Sequence, residues 1–146
     1  MKGNFHEPIE GTKNVPFIPA TRFLSEFRVE LLSKGKTVRN LLLFAGVDHA
    51  FDQNNPFTAF GTETATPGYT LLNAGVTANF TRKTKTLFTI YIFGNNLTDE
   101  AYQNHLSRLK YTEMNSVTGR QGVFNMGRNF VFKLNIPLNF DFDKSK

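Results

Sequence analysis

The segment 90–111, "IYIFGNNLTDEAYQNHLSRLKY", concentrates the side chains with the widest chemical reach. Tyr102, His105, Arg108, Lys110 and Tyr111 fall within one short polar stretch. A guanidinium fork and an ammonium suit carboxylate-rich anions, and an imidazole is a common metal ligand that titrates near neutrality. A basic, aromatic loop of this kind is a candidate contact for an anionic chelate, and His105 for a bound metallocofactor. The competing reading is a solvated loop that packs on its neighbours. His6, His49 and His105 are too scattered for a metal-ligand set, and there is no Cys, so no resident metal or other cofactor is expected. Asp99, Glu100 and Glu113 have no arranged nucleophile to serve as acid or base. Phosphate-loop, dinucleotide and Ser-His-Asp signatures are absent, so the chain reads as a non-enzyme. Asn95, Asn96 and Asp99 close an apolar run, and Asx side chains that bond nearby backbone suit the end of a strand there.

The elements that must hold this loop are strands. The chain has 146 residues, 16 Phe, 4 Tyr and no Trp, a composition that favours β-structure and leaves room for one domain. Period-two alternation marks five of them. In 21–32, Phe23, Phe27, Val29 and Leu31 oppose Glu26, Arg28 and Glu30. In 39–51, Leu41, Leu43, Ala45 and Val47 oppose Asn40, Gly46 and Asp48, with Leu42 and Phe44 breaking the polarity. In 69–81, Leu72, Ala74, Val76, Ala78 and Phe80 oppose Asn73, Thr77 and Asn79. Segment 87–97 is apolar on both faces until Asn95, and 127–140 alternates from Phe130 through Phe132, Leu134, Ile136 and Leu138 to Phe140. Short basic turns, "SKGKT" and "RKTKT", alternate with long connections at 52–68 and 98–122 of about 17 and 25 residues, far above hairpin length.

Strands of about 11 to 13 residues match a tilted membrane crossing better than the 5–6 usual in globular sheets. Long loops at one end and tight turns at the other match an outer-membrane barrel. A mean hydropathy of −0.31 and the lack of a long apolar run exclude helical spans but not such a barrel. The alternative is a soluble β-barrel or sandwich that binds a lipid or an anion, its apolar face turned inward. Five strands are too few to close a barrel, and an open edge in lipid would leave backbone groups unpaired. The expectation is therefore a piece of a larger barrel, with no export signal visible at its start. The net charge of +5 is concentrated in turns, so nucleic acid is not expected as a partner.

Four segments resemble, in order, the C-terminal end of the TonB-dependent outer-membrane receptors, particularly those of the Bacteroidetes group. They are "VPFIPATRF" at 15–23, "TPGYTLLNAGV" at 66–76, segment 90–111 above, and the closing "NMGRNFVFKLNIPLNF" at 125–140. The resemblance implies an all-β fold: an antiparallel meander of about five long strands within a transmembrane barrel of about 22. It implies an extracellular-side loop and strand lead-in over 1–20, barrel strands over 21–140 with extracellular loops 52–68 and 98–122, and a short polar tail at 141–146. Glu26, Arg28, Glu30, Asn73, Thr77 and Asn79 would face the lumen. Phe132, Leu134, Ile136, Leu138 and Phe140 would form the terminal signal read by the barrel-assembly machinery. The implied role is active uptake across the cell outer membrane of a scarce ligand, whether an iron chelate (siderophore), haem or cobalamin. Partners would be outer-membrane lipid and lipopolysaccharide, with TonB reached only through an N-terminal plug that this segment lacks.

Overall fold

The computed structural model describes residues 3–83 and 85–138. Seven strands are present: β1 (Asn4–Ile9), β2 (Thr12–Asn14), β3 (Arg22–Leu32), β4 (Val38–Ala50), β5 (Tyr69–Arg82), β6 (Lys85–Asn95) and β7 (Asn129–Asn135). Strands β3 to β7 form one antiparallel meander in chain order, and β1 pairs with β2 in a small separate sheet. The only helical pieces among the described residues are 3-10 turns at Ala59–Gly61 and Arg108–Tyr111. The protein is all-β. No barrel closes among the described residues, because β3 and β7 are each paired on one side only.

Register fixes the two faces of the sheet. Phe27, Ala45, Ala74, Gly94 and Phe130 lie in one direct row across all five strands, and Val29, Leu43, Val76, Ile92 and Phe132 form the next. This apolar face is exposed: Phe27, Phe130 and Phe132 each keep about two thirds of their surface open, at 69%, 70% and 65%. On the opposite face, Glu30, Leu42, Thr77, Tyr91 and Lys133 share a row, joined there by Glu26, Arg28, Asn73 and Asn79. Leu42 and Phe44, which disturb the alternation in sequence, therefore sit on the polar face. Phe44 is accommodated there because it and Phe93 flank Gly75 in register, with their rings 5.4 Å apart. A Cβ on Gly75 would approach Phe44 within 2.4 Å, so the ring pair requires the glycine.

Two expectations change at the ends of the chain. Segment 1–20 is not simply a loop and lead-in: it contains the β1–β2 hairpin, closed by Glu10 and Gly11, both at positive φ (46° and 81°). That pair of left-handed residues makes a two-residue hairpin turn. The strands were illegible because they are short, polar and contain Pro8. The last strand begins at Asn129 and ends at Asn135, inside the 127–140 alternation. Ile136 and Leu138 lie beyond the ladder, on either side of Pro137, which has no N–H to donate. Phe140 and the tail 141–146 lie outside the described residues.

Packing is concentrated at one end. Among the described residues, Ala50, Phe57, Ala59, Tyr69 and Leu71 are buried apolar side chains at the end of the sheet where the long connections sit. No large side chain is fully buried among the described residues. The other end carries only the two short turns.

Candidate functional site in the loop layer

The β4–β5 connection, the β6–β7 connection and the segment before β3 meet over the long-loop end of the sheet. Their meeting point is polar. Glu63, buried to 6% exposure, accepts the Phe17 N–H on Oε1 at 2.6 Å and the Phe57 N–H on Oε2 at 2.9 Å. It thereby ties the N-terminal segment to the β4–β5 loop. The Lys110 ammonium, also buried, donates to Thr64 O at 3.0 Å and Thr66 Oγ1 at 2.6 Å, tying the β6–β7 loop to the same place. Gln53 completes the layer through the carbonyls of Ile18 and Pro19 and a backbone bridge to Thr66.

His105 lies between these anchors. Its Nδ1 is 2.8 Å from Thr66 Oγ1, and its Nε2 is 3.7 Å from Glu63 Oε2. Lys110 can only donate, so Thr66 Oγ1 accepts from it and keeps one lone pair and its own proton for the contact with Nδ1. Which of the two donates is set by the ring's tautomer, and Nε2 faces Glu63. Burial lowers the His105 pKa below its ordinary 6.5, and the neighbouring Lys110 charge lowers it further, against a smaller opposing pull from Glu63.

The five residues singled out from sequence are divided by this geometry. His105 and Lys110 are buried with their polar atoms engaged internally. Tyr102 is half-buried, its ring 4.3 Å from that of Tyr69. Arg108 and Tyr111 remain exposed on the wall of a cleft of about 240 Å³, with Phe17, Thr62 and Leu106 as neighbours. Arg108 lies 5.7 Å over the Phe17 ring and makes no ion pair among the described residues. Tyr111 Oη accepts the Thr64 N–H at 3.2 Å and keeps its own proton to donate. The cleft can therefore offer one guanidinium and one phenol to an anion, over a floor whose carboxylate is already committed. No group of His, Asp and Glu residues among those described is arranged to hold a metal ion.

Sequence reasoning passed over Glu63, Thr66 and Gln53. Glu63 had one signal: it is the one carboxylate between Asp52 and Asp99. The Asn-Asn-Leu element does local work at the mouth of the sheet. Asn96, at φ 50°, turns the chain out of β6, exchanges side-chain bonds with the Glu100 backbone at 2.8 and 2.9 Å, and reaches Met126 O. Asp99 Oδ1 accepts the Arg128 N–H at 2.8 Å, which fixes the approach to β7.

No protein-family model, curated protein or solved structure matches the chain.

Proposed function

We propose that this chain is the C-terminal portion of the barrel of an outer-membrane TonB-dependent receptor. It would act in active uptake of a scarce ligand such as an iron chelate, haem or cobalamin, and would need a plug and the remaining strands to do so. The observation that carries this reading is the exposed apolar face that runs unbroken across five strands, with both long connections at one end. Contiguous apolar surface on this scale marks contact with lipid or with another protein. The unpaired edges of β3 and β7 support it as well, since a sheet in hydrocarbon must be closed by further strands.

In this reading the apolar face meets outer-membrane lipid, and the loop layer faces outward toward lipopolysaccharide and ligand. TonB acts through the plug alone. Phe132, Leu134, Ile136 and Leu138 are exposed near the final edge, where the assembly machinery would read them together with Phe140. Arg108 and Tyr111 are the loop residues left available for ligand contact. The test is fractionation of cells that make the native gene product. The protein should sediment with the outer membrane, resist carbonate extraction and show heat-modifiable mobility in detergent. Recovery as a soluble monomer that folds without detergent would overturn the proposal and favour a soluble lipid- or anion-binding module.

A further inference from the structure

The short-turn end carries a feature that uptake does not use. The β3–β4 turn and the start of β4 contribute Lys34, Lys36 and Arg39, and the β5–β6 turn with the strand ends beside it contributes Arg82, Lys83 and Lys85. The two turns are held side by side: Thr81 N–H donates to Thr37 O at 2.8 Å, and Arg39 donates to Gly35 O at 3.0 Å and Lys83 O at 3.2 Å. Three cations from each turn therefore form one rim. No Asp or Glu occurs in 31–47 or 64–98, so neither turn carries its own counter-charge. None of the six makes an ion pair among the described residues, and all but Arg39 are exposed.

The rim also borders apolar surface. Phe80 and Phe88 stack at 4.7 Å on the apolar face just inside the turns, and Leu31, Leu32 and Leu87 are exposed at the same end. We propose that this rim docks anionic phospholipid, its cations holding the phosphate headgroups while the adjoining sheet face takes the acyl chains. Basic side chains at the edge of an apolar surface are what a negatively charged bilayer interface attracts, about fivefold in association for each cation near it. Five of the six cations stand exposed along the rim, which suits a layer of headgroups better than one bound phosphate ion. The nearest rings merge into the apolar face instead of offering a stacking platform among the charges, which disfavours single-stranded nucleic acid. The inference rests on the membrane reading above and adds the chemistry of the lipid at this end.

The experiment uses the native gene product, diluted from urea into vesicles of phosphatidylcholine alone or with a minor share of phosphatidylglycerol, and scored by co-flotation. The parent should float with both and bind the anionic vesicles on the order of a hundredfold more tightly at low salt, the difference shrinking as salt rises. The K34E/K36E/K85E variant should lose that preference and still float with phosphatidylcholine like the parent. The milder K34Q/K36Q/K85Q variant should fall between them. Equal parental binding to both vesicles would overturn the rim while leaving the membrane reading intact. Flotation with neither would overturn both. Retention of a DNA oligonucleotide as tight as that of the anionic vesicles would overturn the proposal in favour of nucleic acid.

Discussion

Glu63 and Lys110 bring opposite charges into the loop layer, and each is surrounded by bonds that make its burial tolerable. Both Glu63 oxygens accept backbone N–H groups, and Lys110 Nζ has two oxygen partners, so neither ion depends on a direct salt bridge. His105 is the titratable group between them, and the groups facing it are Glu63, Thr66 and Lys110. Its pKa in the docked loops lies below the ordinary 6.5, so the undocked state binds protons more readily. Docking is thus at full strength above pH 6.5 and weakens as pH falls from there toward the lowered value. Amide exchange at Val123 and Asn125, whose N–H groups bond across this loop to Leu109 O and Tyr102 O, reads the effect directly. Protection there should be lower at about pH 5.5 than at about pH 7.5, and an H105N variant should flatten the difference. An unchanged difference in that variant would remove His105 as its source.

At the scale of the element, Asn96 decides where β6 stops and how β7 begins. It occupies a left-handed conformation that Asn tolerates and most residues resist, and the residue is buried to 3% exposure. Asn96→Ala removes the bonds to Glu100 and Met126 and places Ala at positive φ. The expected loss is about 1–3 kcal/mol for the buried polar partners left unmatched. It should be read as a lower urea midpoint with an unchanged slope, and as faster exchange at Glu100 and Arg128. A parental midpoint would mean that the β6 end is set elsewhere. This element also shows what sequence could disclose. Period-two alternation is local, so the common face of Val76, Leu134 and Phe132 was legible, as was the Asx-rich end of β6. The strand limits shifted where Pro137 removed a donor. The pairing of Glu63 with Phe17 and Phe57, and of Lys110 with Thr64, has no period. It depends on three distant segments folding over one end of the sheet, and the β1–β2 hairpin is too short and polar to alternate at all.

For the whole molecule, the telling quantity is where apolar surface ends up. A chain of this length in water would bury well over half of its unfolded surface around large side chains. Here no large side chain is fully buried among the described residues, while Phe23, Phe27, Leu72, Ile92, Phe130, Phe132 and Leu134 stay exposed. The sheet is ordered by its ladders and loop layer, and its apolar face awaits a cover. If that cover is lipid, the cost of a charge on it must depend on depth. Val76 lies near mid-strand, in register with Leu43 and Ile92, whereas Phe80 lies beside the basic turns. Val76→Arg should cost about 2–4 kcal/mol and Phe80→Arg about 0–1 kcal/mol, because the penalty for a cation falls from the bilayer midplane to its interface. Leu134→Arg, in register with Ile90, should reduce the outer-membrane level of the native gene product, as Val76→Arg should. Asn135→Arg, opposite Thr89 on the polar face, should leave it at the parental amount. Equal membrane levels for the Val76, Leu134 and Asn135 variants would overturn the assignment of faces. An arginine penalty as large at Phe80 as at Val76 would argue for a protein cover, since a packed protein interface has no such gradient along the strand.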